Sequence, residues 1–257
     1  MKYPIILVHG IMLKDVWHFK AFGKIGKMLK DQGYHVYTSP HDGLGTIENN
    51  AQQIKAFILE IMEKEEVSKV NIIAHSKGGL DSLYMIDRLE MSEHVASVTF
   101  LSTPHKGSII ATKLYSMPKI IRNFLAFCLN ITYKIAGDKK PDALAVCESL
   151  KRSDSNVFEC FESHDGIYMQ SYSSEMERSR DDFVMGIPFL FSRHFEGEPS
   201  DGMVSVESSI YAIYRGNATE HSISHSQIVD FMVNKSKKEK VYGFYMTLCN
   251  ELEEFGF

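Results

Sequence analysis

Val70-Asn71-Ile72-Ile73-Ala74-His75-Ser76-Lys77-Gly78-Gly79 is the stretch that decides the fold. Val70–Ile73 is short, apolar and largely β-branched, which is how a buried strand reads. A glycine-rich turn follows, and a helical pattern runs from about Gly79 to Leu89. Ser76 stands in the turn, with Ala74 two residues before it and Gly78 two after. A very sharp strand-to-helix turn presses neighbouring backbone together, so only small side chains fit at those two places. Such a turn lifts the serine hydroxyl above the carboxyl ends of the strands and aims a helix N-terminus at it. A serine that merely caps a helix would also suit the string. The strand before it and the helix after it favour an activated nucleophile at Ser76.

Working outward, short aliphatic runs alternate with helical patterns, the signature of a parallel sheet covered by helices. Strands are predicted at Ile5–Val8, Tyr34–Tyr37 and Val98–Leu101, and helices at Phe19–Lys30 and from Asn50, where Ala51, Ile54, Phe57, Ile58, Ile61 and Met62 share a face. Between Ser108 and about Asp165 the alternation stops, leaving only helical apolar stretches divided by Pro118, Gly137 and Pro141. Strands then resume at Gly166–Tyr172 and Ile187–Phe191, and a last helix spans Lys237 to Glu253. The simplest architecture is one α/β domain over residues 1–257, its mostly parallel sheet covered by helices on both faces. Residues 108–165 form a helical lid or cap inserted after the strand near residue 100.

Composition narrows the function. The chain has 257 residues, 44% hydrophobic and 24% charged, enough for a sizeable core without a disulfide or metal staple. With 28 Lys and Arg against 33 Asp and Glu the net charge is −5, which offers no general attraction to nucleic acid or anionic lipid. Cys128, Cys147, Cys160 and Cys249 form no CxxC pair and read as buried small hydrophobes in a reducing compartment, one disulfide remaining open. No signal peptide is read before His9, and the longest apolar stretch, Phe124 to Tyr133, is too short to span a bilayer. A cytoplasmic location is the expectation.

Three further segments suit a nucleophile at Ser76. Val8-His9-Gly10-Ile11-Met12 closes the first strand, and the backbone N–H groups of Ile11 and Lys77 are the natural pair of oxyanion donors. His9 reads as a histidine satisfied by local backbone. Pro199-Ser200-Asp201-Gly202 can hold a carboxylate on a tight turn, with Asp165, Asp181 and Asp182 as rival acids. His221-Ser222-Ile223-Ser224-His225 offers two candidate bases. His225 precedes a stretch in which Ile228, Val229 and Met232 suit a short helix packed on the sheet, whereas nothing apparent anchors His221. Zinc on these two histidines lacks a third ligand nearby. In the insertion, Ile120, Ile121, Phe124, Leu125, Phe127, Cys128, Leu129, Ile131 and Ile135 exceed one helical stripe. Either two helices pack there, or Phe124 and Phe127 help to roof Ser76 and bind an acyl chain.

YPIILVHGI at 3–11, NIIAHSKGGLDSLY at 71–84, VTFLSTPHKGS at 98–108 and SDGMVSVESS at 200–209 resemble the bacterial triacylglycerol lipases and their esterase relatives in the α/β-hydrolase superfamily. DALAVCESLKRSDSNVFE at 142–159 is similar to the cap-to-core return of those lipases. The resemblance touches nearly the whole chain and is weakest between Ile109 and Lys140. It implies an α/β-hydrolase fold, with Ser76, Asp201 and His225 as nucleophile, acid and base in the order of that superfamily, and Ile11 and Lys77 as oxyanion donors. Many secreted relatives hold a structural calcium with an acid two residues past the histidine. Gln227 stands there in this chain, which argues against that ion.

The resulting expectation is a serine hydrolase acting on carboxylic esters, of lipase or carboxylesterase type, through an acyl-enzyme and without cofactor or metal. Its partners would be a small-molecule or lipid ester and, through the cap, a transient lipid surface. Thioesterase or amidase activity would use the same triad, and a binding protein on a hydrolase fold is the alternative from another class.

Overall fold

A computed structural model describes residues 1–12, 20–153, 166–220 and 222–257. Ile5–Val8 (β1), Val36–Thr38 (β2), Val70–His75 (β3), Val95–Leu101 (β4), Tyr168–Ser173 (β5) and Ile213–Asn217 (β6) form one sheet in the order β2-β1-β3-β4-β5-β6. All five pairings are parallel. The central strands β1, β3 and β4 are buried at every position, which explains their nearly continuous apolar sequences.

Alternate side chains of each strand feed two separate cores. Ile5 and Leu7 face one cluster with Ile73 and Leu101, completed by Ile25 and Leu29 of Ile25–Asp31 (α1) and Tyr245 and Leu248 of Lys235–Glu254 (α9). Ile6 and Val8 face the other with Ile72 and Phe100, completed by Ile54 and Ile58 of Ile47–Glu65 (α2) and Leu83 and Ile86 of Lys77–Arg88 (α3). The sheet is thus covered on both faces, the α/β-hydrolase arrangement.

After β4 come Ile109–Tyr115 (α4), Lys119–Ile135 (α5) and Ala143–Ser149 (α6), the described part of the predicted insertion. A third cluster joins Ala111, Ala126, Tyr133, Ala143 and Val146 of these helices to Leu44, Ile47 and Leu80 of the body. Gly186–Phe195 (α7) and Val206–Ser209 (α8) lie between β5 and β6.

Several predicted elements need correction. Ile187–Phe191 is helical, within α7. Its buried positions, Gly186, Phe189 and Ser192, recur every three residues, while Ile187 and Leu190 are exposed. Pro188 sits in the first turn, where its missing N–H costs no helical bond. The sixth strand is β6, an edge strand of alternating exposure whose Arg215, Gly216 and Asn217 hid it. The first helix begins at Ile25, not Phe19: Ala21–Lys24 form turns, and Phe19 lies outside the described residues. Cys128 is exposed and Cys147 partly so, leaving Cys249 as the buried thiol among the described cysteines; Cys160 lies outside them. Met232 is exposed, and the segment after His225 is a single 3-10 turn, Gln227–Val229.

Candidate active site

Ser76 joins β3 to α3 with φ 55° and ψ −133°, a left-handed backbone that costs a serine steric strain. Surrounding contacts hold it there. Its N–H donates to Leu101 O at 2.9 Å, and its own carbonyl accepts from Gly79 N at 3.0 Å. A Cβ on Gly78 would stand 2.4 Å from His9 O, and one on Gly10 would stand 2.6 Å from Ser76 Cβ. The small residue two places after the serine is therefore a steric requirement, as the sequence predicts. The end of β1 comes against the serine because Gly10 has no side chain.

His225 bridges the other two candidates. Its Nε2 lies 2.8 Å from Ser76 Oγ, and its Nδ1 lies 2.7 Å from Asp201 Oδ2. Asp201 is fully buried, and its other oxygen accepts from Met203 N at 3.0 Å and Val204 N at 2.8 Å. Gly202, at φ 102°, makes the turn between the acid and the amides that donate to it. The backbone closes the same loop, with His225 N donating to Asp201 O at 3.0 Å. Residues 149 positions apart are thus joined by one line of hydrogen bonds. His221 and Asp165 lie outside the described residues.

Asp182 and Asp181 have other work. Asp182 accepts from the hydroxyls of Ser224 and Ser226, the neighbours of His225 on either side, and from Val184 N and Met185 N. Burial pushes its carboxyl up, but these hydrogen bonds outweigh burial and hold it below the usual range. Asp182 therefore braces the backbone that carries the histidine. Asp181 accepts from Ser222 Oγ and Arg178 N. In the sequence both look like rivals of Asp201, because nothing in their local pattern marks a brace.

Gln227, which replaces the acid of the calcium-binding relatives, donates to Asp181 O at 2.9 Å. Lys237 Nζ lies 3.0 Å from Gln227 Oε1 and 3.2 Å from Asp181 O. A side-chain ammonium therefore sits against the oxygens of Gln227 and Asp181. Among the described residues no group of three or more His, Cys, Asp and Glu is arranged to hold a metal.

Two imidazoles border the line. His75 packs against His225, ring centroids 4.5 Å apart, and burial pushes its pKa well down. It is held neutral. His9 is satisfied by backbone as predicted, Nδ1 to Gly10 O at 2.8 Å, and it stacks on His41 at 3.9 Å.

Ile11 follows Gly10 beside the serine. Lys77 opens α3, where helix amides have no carbonyl one turn earlier to bond. Phe124 and Phe127 are a different matter. They project from α5 at 65% and 62% exposure, while that helix buries Ala126 and Tyr133.

Residues 5–130 match the family described as "Putative serine esterase (DUF676)". The chain is 26% identical over 255 residues to triacylglycerol lipase 2 of Saccharomyces cerevisiae, covering 91% of this chain and 73% of the yeast protein. It is 32% identical over 120 residues to a triacylglycerol lipase of Pseudarthrobacter phenanthrenivorans, a match covering 43% of this chain and 35% of that enzyme. The mature lipase BlEst2 of Bacillus licheniformis superposes with a TM-score of 0.70 at 20% identity, covering 96% of this chain and 91% of that one.

Proposed function

We propose that Ser76, His225 and Asp201 are the catalytic triad of this carboxylic ester hydrolase, whose residues 5–130 match a family of putative serine esterases. The observation that carries this reading is the continuous line from Ser76 Oγ through His225 to Asp201 Oδ2, at 2.8 and 2.7 Å. His225 Nε2 accepts the serine proton as Oγ attacks the ester carbonyl. Asp201 fixes the imidazole tautomer and stabilises the charged ring. The N–H groups of Ile11 and Lys77 take the developing oxyanion. Collapse of the tetrahedral intermediate breaks the C–O bond, His225 protonates the departing alkoxide, and water then cleaves the acyl-enzyme by the same steps.

The substrate class in this reading is a lipid ester met at a surface. Ile120, Phe124, Phe127 and Ile135 of α5 are more than 60% exposed, an apolar face unusual on a protein surface. From Lys106 to Gly137 there is no acidic residue, while Lys106, Lys113, Lys119, Arg122 and Lys134 are basic. The whole chain is acidic, yet this cap segment is cationic and apolar, the combination that suits an interface with anionic headgroups. Among the described residues no helix is long and apolar enough to cross a membrane. We assign residues 108–165 as the cap of a single domain. Turnover of a nitrophenyl ester chain-length series by wild type and Ser76→Ala tests the reading, and undiminished turnover in the folded variant would overturn it.

A further inference from the structure

Two loops that lie far apart in sequence exchange carboxylates. Asp42, in the loop between β2 and α2, accepts from Lys139 N and Lys140 N of the cap, one oxygen each, both at 2.8 Å. Asp138 of that cap loop accepts in return from Gly43 N at 3.0 Å and Leu44 N at 2.7 Å. Both acids are buried. Bonds from amides to ionised carboxylates are stronger and more directional than neutral ones, so the exchange locks residues 42–44 to residues 138–140.

The body side of that lock reaches both proposed oxyanion donors. On the Ile11 side, His41 Nε2 lies 3.0 Å from His9 O. Gly43 comes so close to Met12 that an added Cβ would stand 1.9 Å from Met12 O. The segment that presents the Ile11 amide is thereby gripped at residues 9 and 12. On the Lys77 side, Asn50 Nδ2 donates to Asp42 O at 2.8 Å and to Asp81 Oδ2 at 2.9 Å. Asp81 in turn holds Lys77 Nζ at 2.7 Å. One loop, residues 41–44, thus touches the supports of both donors, and the cap holds that loop through Asp138.

We propose that Asp138, in the cap, is a positioning residue for the oxyanion hole, acting through Gly43 and Leu44 to set the spacing of the Ile11 and Lys77 amides. The inference rests on the triad reading above and adds a role for the cap in the chemical step. An oxyanion hole works only when its donors are placed in advance where charge develops, so loosening the loop costs turnover rather than binding. The cap is anchored to that loop at residues 138–140. Asp142 N, donating to Leu44 O at 2.8 Å, adds to that anchor.

The test compares an oxo ester with its thionoester, whose sulfur accepts hydrogen bonds poorly and so gains less from the hole. Asp138→Asn keeps the size of the side chain and removes its charge. It should lower kcat on the oxo ester about tenfold with KM within about twofold, and lower the oxo-to-thiono rate ratio. Asn130→Ala, which cuts a cap contact to Ala143 N elsewhere, should leave that ratio unchanged. If Asp138→Asn does not fold, Asp42→Asn is measured in its place with the same expectation. An unchanged ratio in the acid variant, or an equal fall in Asn130→Ala, overturns the proposal. Ser76→Ala is assayed in parallel: turnover that survives it overturns the triad reading, whereas Ser76-dependent turnover with an unchanged ratio overturns this inference alone.

Discussion

Lys77 and Asp81 form an ion pair one helical turn behind the strained serine, Nζ to Oδ1 at 2.7 Å, with both side chains 1% exposed. Burial pushes the Asp81 carboxyl up to about 6, against the pull of Lys77 and Asn50. Removing one partner leaves the other charge buried and uncompensated, so Lys77→Met should cost about 3–5 kcal/mol in urea unfolding at pH 7. Replacing both, Lys77→Met with Asp81→Leu, should restore stability to within about 1 kcal/mol of wild type or better. The folded Asp81 keeps its proton to higher pH than the unfolded chain does. Its contribution to stability therefore falls as pH rises from about 4 to about 6, by about 3 kcal/mol, and is constant above. That slope should vanish from the double variant, and its persistence there would assign it to other groups.

The histidine assignment predicts unequal effects of two substitutions four residues apart. His225→Ala should lower kcat by at least about a thousandfold, and Asp201→Asn by a comparable factor, since it misorients the ring. His221→Ala should keep most of the turnover. Measuring kcat for all three decides the matter, and a dead His221→Ala beside an active His225→Ala would reassign the base.

Exposure of Phe124 and Phe127 makes a prediction about the physical state of the substrate. Replacing both with Ser should lower turnover of long-chain esters presented on anionic vesicles about tenfold or more. Turnover of dissolved short-chain esters should stay within about twofold of wild type, because both rings are exposed on α5. Equal loss on both substrates would place the two rings in the acyl site instead.

The parts of this molecule that read directly from sequence are those with local causes. The runs at Ile5, Val70 and Val95 are buried on both faces, so their apolar character is unbroken. Gly78 is small because His9 O lies against it. Asp201 sits on a turn that Gly202 makes possible. The parts that did not read have causes elsewhere in the chain. The apolar residues at 187, 190 and 191 face outward, which masks the helical period of α7 and mimics a strand. The polar residues of β6 follow from its place at the sheet edge. The exchange between Asp42 and the cap spans 97 residues and is made to backbone amides, which leave no mark on side-chain pattern. The serines beside His225 look like ordinary loop residues until Asp182 is seen to hold them.

An activated nucleophile at Ser76 should react with a phosphonylating agent. The most direct test is to react the protein with a fluorophosphonate and map the adduct by peptide mass spectrometry. The expected result is one phosphonyl group on Ser76, none on Ser76→Ala, and labelling at least about a hundredfold slower on His225→Ala. An unlabelled wild type, or an adduct on another residue at the same rate in Ser76→Ala, would contradict it.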